Sequence, residues 1–198
     1  WNERIPSNPE LDPRSDELVQ FLLQSKDGGK FHINIQKWSI PVFEVDENAA
    51  PWRQVTYGGH DKKQHPRLLD KAPVPPEAVA DPQGDAHLCI INKARTRAWD
   101  FWLVSECGHE VVTSSATEWD LTGRGYGEPG DGACRAAGFP LIAGLIRHEE
   151  IAAGAIEHAL VFACKVCAAN AYAYPPATET DGRSTDPRAL PQGLRMQL

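Results

Sequence analysis

The spacing of apolar residues changes several times along the chain, and each change predicts an element. Leu18, Val19, Leu22 and Leu23 recur at helical spacing behind Asp12-Pro13, an acidic cap followed by a proline suited to a first helical turn. They predict one amphipathic helix ending at Asp27-Gly28-Gly29. From Phe31 the period becomes two, with Phe31, Ile33 and Ile35 on one face and His32 and Asn34 on the other. Strands are predicted over Trp38–Val45, an edge position because of Pro41, and over Arg53–Tyr57. Residues 58–86 hold five prolines and few large apolar residues, and read as a long ordered loop. Further strands are predicted at His87–Asn92, Arg97–Val104, Glu110–Ser114, Thr117–Leu121, Ile156–Cys164 and Ala171–Tyr174, with a short helix near 147–153.

Many short strands between Gly- and Pro-rich turns predict a mainly β fold. The expected form is a sandwich, a jelly-roll-like arrangement or an irregular barrel, made by a single β-rich domain over 1–198 with residues 1–12 as an N-terminal arm. The length of 198 residues suits one domain with one core. A formal net charge of −7 argues against a nucleic-acid partner, which needs a basic surface. The longest apolar stretch, Ile151–Cys167, is interrupted by Gly154, Glu157, His158 and Lys165, so no membrane-spanning segment is expected.

The richest local inference comes from the predicted hairpin. Lys93-Ala94-Arg95-Thr96 is short and polar, as hairpin loops are, and its even length pairs Asn92 with Arg97. Cys89 then opposes Asp100, and His87 opposes Trp102. Opposed residues share a face, so His87, Asp100 and Trp102 point one way while Leu88, Ile90, Trp99, Phe101 and Leu103 point to a core. Asp85 falls on the first side if the strand extends that far. A histidine, carboxylates and an indole on one face suit a saccharide or peptide: carboxylates exchange protons or bind hydroxyls, and indole faces stack on sugar C–H groups. The plainer reading of the same face is a solvated polar surface with one half-buried tryptophan.

His32 and His158 are added as residues lining the same cleft, and Asp120 as a second catalytic carboxylate beside His87 and Asp100. A metal site from His32, His87 and His158 is a further alternative, although no metal or cofactor is assigned. GRGYGEPGDG over 123–132 lacks the residues of a phosphate-binding loop. Of the five cysteines, Cys89 sits in a strand and reads as a buried free thiol. Cys107, Cys134, Cys164 and Cys167 remain for two disulfides, with one zinc site or unpaired structural thiols as the alternatives.

Several motifs occur in series: Gly84-Asp85-Ala86-His87, Trp99-Asp100-Phe101-Trp102, Trp119-Asp120-Leu121, Ala136-Ala137-Gly138-Phe139-Pro140, Ile156-Glu157-His158-Ala159-Leu160 and Leu190-Pro191-Gln192-Gly193-Leu194-Arg195. This series resembles a family of secreted bacterial proteins without an assigned activity. The resemblance covers residues 84–198 well and the first 57 loosely. It implies export and therefore disulfides. His87, Asp100, Asp120 and His158 match the family's polar motif residues, although Ala86 stands where the family has Arg and Asp100 where it has Glu. Its members continue past the last motif, which implies a C-terminus truncated at Leu198.

Together these readings predict a secreted or periplasmic domain acting on extracellular polysaccharide by hydrolysis or elimination. The catalytic candidates are His87, Asp100 and Asp120, and the binding candidates Trp102, His32, His158 and Asp85. The alternatives are a non-catalytic module that binds carbohydrate or a cell-surface polymer, and a structural subunit of an extracellular assembly, which leaves self-association open.

Overall fold

Local sequence decides where α1 (Ser15–Gln24) begins, though two residues later than its predicted cap. Asp12 closes a preceding turn, its Oδ1 accepting the Arg14 N–H at 2.7 Å, and Arg14 takes the cap position. The computed structural model describes residues 1–25, 32–58 and 68–197, so the predicted helix stop at Asp27-Gly28-Gly29, the residue Phe31 and part of the long loop lie outside the described residues. Leu18 is buried, whereas Leu22 is only half-buried and Leu23 is exposed. The helix lies against the C-terminal segment: Arg14 donates to the Pro187 carbonyl, and the Arg188 guanidinium stacks over Phe21 at 4.6 Å.

The strands follow as β1 (Val42–Val45), β2 (Trp52–Tyr57), β3 (Lys71–Pro73), β4 (Leu88–Asn92), β5 (Arg97–Trp102), β6 (Glu106–Cys107), β7 (Val111–Thr113) and β8 (Ser115–Asp120). After α2 (His148–Ala153) come β9 (Cys167–Tyr172) and β10 (Leu190–Gln192). The fold is mainly β, with two helices among the described residues. One four-stranded sheet has the order β1-β4-β5-β8 and another β3-β2-β7-β6, while β9 and β10 form a two-stranded ribbon. No closed barrel forms among the described residues. The β1–β4 and β2–β7 pairs are parallel, and the β4–β5–β8 run is antiparallel.

The chain changes sheets at Ser114, between β7 and β8. Thr113 secures this corner: its hydroxyl lies 2.7 Å from the Trp102 carbonyl and 2.9 Å from that of Ser115. Both four-stranded sheets contribute to one core: Val55, Ala72 and Val111 from the second meet Leu88, Ile90, Trp99, Phe101 and Ala116 from the first. Burial of this aliphatic and aromatic surface is the main favourable contribution to folding.

The structure corrects several predicted elements. His32, Ile33, Asn34 and Ile35 form no strand, and Ile33 and Ile35 are exposed. Ile156–Cys164 alternates cleanly yet is irregular, with Ile156, Leu160 and Phe162 exposed. An alternating pattern becomes a strand only where a sheet edge accepts its hydrogen bonds, and here Val161 donates to Gly144 and Ala159 to the carbonyl of Trp1. The span read as one long loop contains β3, which pairs with β2. The N-terminal arm is anchored at its first residue, where the Trp1 indole donates to the Gly125 carbonyl at 2.8 Å and packs edge-on against Phe139.

Candidate functional site

The β4–β5 hairpin has the register expected from its even loop: Cys89 opposes Asp100, Ile90 opposes Trp99 and Ile91 opposes Ala98. Asn92 fixes the loop, its Oδ1 accepting the backbone N–H groups of Thr96 at 2.8 Å and Arg97 at 3.0 Å. Cys89, Asp100 and Trp102 therefore share a face, and β8 extends it with Ser115, Thr117 and Trp119 through the pairs Trp102–Ser115, Asp100–Thr117 and Ala98–Trp119. The same parity carries Asp120 to the opposite face.

That shared face is covered, not solvated. Ala133, Cys134 and Leu141 from the segment 133–142 close over it and form a second core with Cys89, Ile91, Ala98 and Trp119. Asp100 is 0% exposed. Its Oδ2 accepts the Leu141 N–H at 2.7 Å, while Oδ1 has no aligned partner among the described residues. Cys134 turns its thiol onto the Asp100 carbonyl at 3.1 Å. Arg135 donates to the Leu141 carbonyl at 2.7 Å and lies over the Phe139 ring. The cover is thus held to the sheet by the Asp100 carboxylate and the Cys134 thiol, while the Arg135 guanidinium braces the cover internally.

Burial governs the electrostatics of this layer. Loss of water raises the Asp100 carboxyl from 3.8 to about 6, against the Leu141 amide, the Cys89 thiol, the positive charge of Arg135 and the Trp119 indole, which all favour its ionised form. Burial lowers Arg135 to about 10, opposed by the negative charge of Asp100. Burial likewise raises the Cys89 and Cys134 thiols, so neither serves as a thiolate nucleophile.

The accessible part of the site lies beside this layer. His87 is half-buried, with Nε2 3.0 Å from the Cys134 carbonyl, which makes Nε2 the protonated nitrogen of the neutral ring. Burial lowers its pKa, outweighing the Cys134 bond and the nearby Asp85. Asp85 is exposed and Trp102 half-buried. Asp81, 3% exposed, ties a neighbouring segment into place. It accepts from the Ser39 N–H at 3.0 Å, the Ser39 hydroxyl at 2.9 Å and the Gln83 N–H at 2.8 Å, while its own N–H donates to the His87 carbonyl. These bonds hold its carboxyl below the ordinary value despite the burial that opposes them.

Trp38, next to Ser39, is 53% exposed and has φ +57°, a left-handed conformation that is rare for a bulky residue. Its indole packs on Gly84, where an added Cβ would lie 3.3 Å from the ring. Such strain persists only where its surroundings over-determine it, and it concentrates at functional sites.

The other candidates lie elsewhere. Asp120 accepts the Thr122 N–H at 2.8 Å and the Thr122 hydroxyl at 2.7 Å at the exposed end of β8. His32 is exposed on an irregular segment. His158 lies near α2, with Nε2 2.8 Å from Glu150 Oε1 and Nδ1 2.9 Å from the Ala159 carbonyl. Among the described residues no group of three or more His, Cys, Asp or Glu is placed to hold a metal ion. All five cysteines are free, which corrects the expected pair of disulfides: Cys107 belongs to β6 and Cys134 to the cover over the other sheet. Arg135, Cys134 and the Leu141 amide are the contributors that sequence reasoning missed, because nothing in Ala133–Ile142 signals which surface it covers.

Searches against protein families, curated proteins and solved structures find no match.

The pH dependence of stability isolates Asp100. Its folded-state pKa lies above its unfolded value, so folding takes up a proton between them and stability falls as pH rises from about 4 to about 6. The full loss is roughly 3 kcal/mol. His87 acts in the opposite sense, since its folded pKa is depressed and its contribution is lost as pH falls. Denaturant unfolding of Asp100→Asn at pH 4 and at pH 7.5 should show the variant gaining roughly 3 kcal/mol relative to wild type at the higher pH. An equal difference at both values would show that Asp100 is not the buried acid described.

Proposed function

We propose that the protein is a non-catalytic module that binds carbohydrate or a cell-surface polymer outside the cell. The observation that carries this reading is the Trp38 indole, half out in solvent, fixed on Gly84 and leading through Ser39 and Asp81 to His87. A rigid aromatic face presents a large apolar area at low entropic cost, and the polar tips beside it supply orientation. Trp102 and Asp85 belong to the same end of the hairpin and complete a surface of indole, imidazole and carboxylate. Hydrolysis or elimination is less well supported, because Asp100 is enclosed by the 133–142 cover and Asp120 lies on the opposite sheet face. A general acid or base must come within about 3.2 Å of the proton it moves.

Affinity electrophoresis in gels containing soluble polysaccharides, with a glycan array to select them, tests the reading. Trp38→Ala and Trp102→Ala should each weaken binding about 30-fold, the scale of an aromatic anchor of roughly 2 kcal/mol. Asp100→Asn should leave affinity unchanged near pH 7. Release of reducing ends or unsaturated sugars that disappears in Asp100→Asn would replace the binding module with an enzyme.

A further inference from the structure

Cys164 and Cys167 sit apart from the proposed binding surface, and their geometry differs from that of the other cysteines. Their sulfurs are 3.5 Å apart, and the Cys167 thiol is also 3.3 Å from the Cys164 carbonyl. This separation is contact without a bond, since a disulfide spans about 2.05 Å. Both residues are half-buried, so a small reagent reaches them. Cys89 and Cys134 are enclosed under the first sheet, and Cys107 stands without a thiol neighbour in β6.

The two members of the pair are held differently. Cys167 opens β9 and pairs with Leu190 of β10. On its other side its carbonyl accepts the Ser184 N–H at 3.0 Å. Gly182 lets that segment lie against the strand, since a Cβ there would stand 2.1 Å from the Ala168 carbonyl oxygen. Cys164 lies in the irregular stretch before β9 and belongs to no strand. One sulfur is thus carried by a paired strand and the other by an irregular segment.

We propose that Cys164 and Cys167 form a reversible thiol–disulfide exchange site, with Cys164 attacking small-molecule disulfides and Cys167 resolving the mixed disulfide. The hydrogen bond from Cys167 favours the Cys164 thiolate, and the Val166 N–H adds to it against the opposing effect of burial. The thiolate is the reacting form. Cys164 S⁻ bonds to one sulfur of the reagent disulfide, whose S–S bond breaks and releases one thiolate. That thiolate takes up the proton lost by Cys167. Cys167 S⁻ then bonds to Cys164 Sγ and expels the second thiolate, which is protonated from water. The protein loses two electrons and two protons, and the reagent becomes two thiols.

The full chain, reduced and then incubated with glutathione disulfide, tests this directly. Acid quenching, alkylation and trypsin follow, and cleavage after Lys165 places the two cysteines in separate peptides. The expected product is that peptide pair joined by a disulfide, formed without alkylation at either cysteine and reversed by dithiothreitol. Cys167→Ser should stop at one glutathione on Cys164, and Cys164→Ser should react at least about tenfold more slowly. A wild-type chain that keeps both thiols alkylatable, or that stops at the mixed disulfide, would overturn the proposal. Modification of Cys107 ahead of Cys164 would overturn it as well.

Discussion

Arg135→Met should destabilise the protein by about 3 kcal/mol at pH 7.5, because it strips the buried Asp100 carboxylate of its compensating positive charge. Methionine keeps most of the arginine stem's packing over Phe139, so the loss reports mainly on charge. The sign of its pH dependence follows from Asp100. Below about pH 6 the folded carboxyl is protonated, and the cost of removing Arg135 should shrink as the pH falls. In an Asp100→Asn background the same substitution should cost less than about 1 kcal/mol, giving a coupling of roughly 2 kcal/mol in a double-mutant cycle by chemical unfolding. A cycle that closes additively would mean that the two groups do not sense each other.

Gly138→Ala should cost about 3 kcal/mol, well beyond an ordinary glycine substitution. Gly138 has φ +78°, and a Cβ there would stand 1.8 Å from the Thr178 Oγ1. The backbone contribution is about 1 kcal/mol. The remainder comes from displacing Thr178, whose hydroxyl donates to the Gly138 carbonyl at 3.1 Å and whose N–H donates to that of Ala137 at 3.0 Å. Gly154→Ala is the control: φ is +72°, nothing lies within 4 Å of the added carbon, and about 1 kcal/mol is expected. Unfolding midpoints of the two variants should differ accordingly. Equal losses would show that the contact with Thr178 is not tight.

The hairpin was legible because its information is local. An even loop of polar residues sets the pairing, and the pairing sets which side chains share a face. The fate of that face was not legible. Its cover is supplied by Ala133–Ile142, which reaches the sheet through Gly138 and the Leu141 amide, and no spacing rule connects those residues to Asp100. Asp120 shows the same limit on β8: its face depends on the pairing of Arg97 with Asp120, strands with no hairpin loop between them. Ile156–Cys164 shows it in reverse, since alternation supplies a strand-like pattern but not an edge to receive it. A count groups the four cysteines beyond Cys89, while the fold places Cys107 in β6 and Cys134 in the cover of the other sheet.

The parallel pairings also set an order of events during synthesis. Val42 of β1 must wait for Cys89, and Val55 of β2 for Val111. The N-terminal strands therefore emerge from a ribosome well before their parallel partners exist, and such distant pairings form slowly. The β4–β5 hairpin can form in the meantime, but until Leu141 has emerged nothing covers its Cys89–Asp100 side. A nascent chain paused before that point displays Ile91, Ala98 and Trp119 to the surrounding solution, a surface suited to a chaperone and prone to aggregation if left unattended.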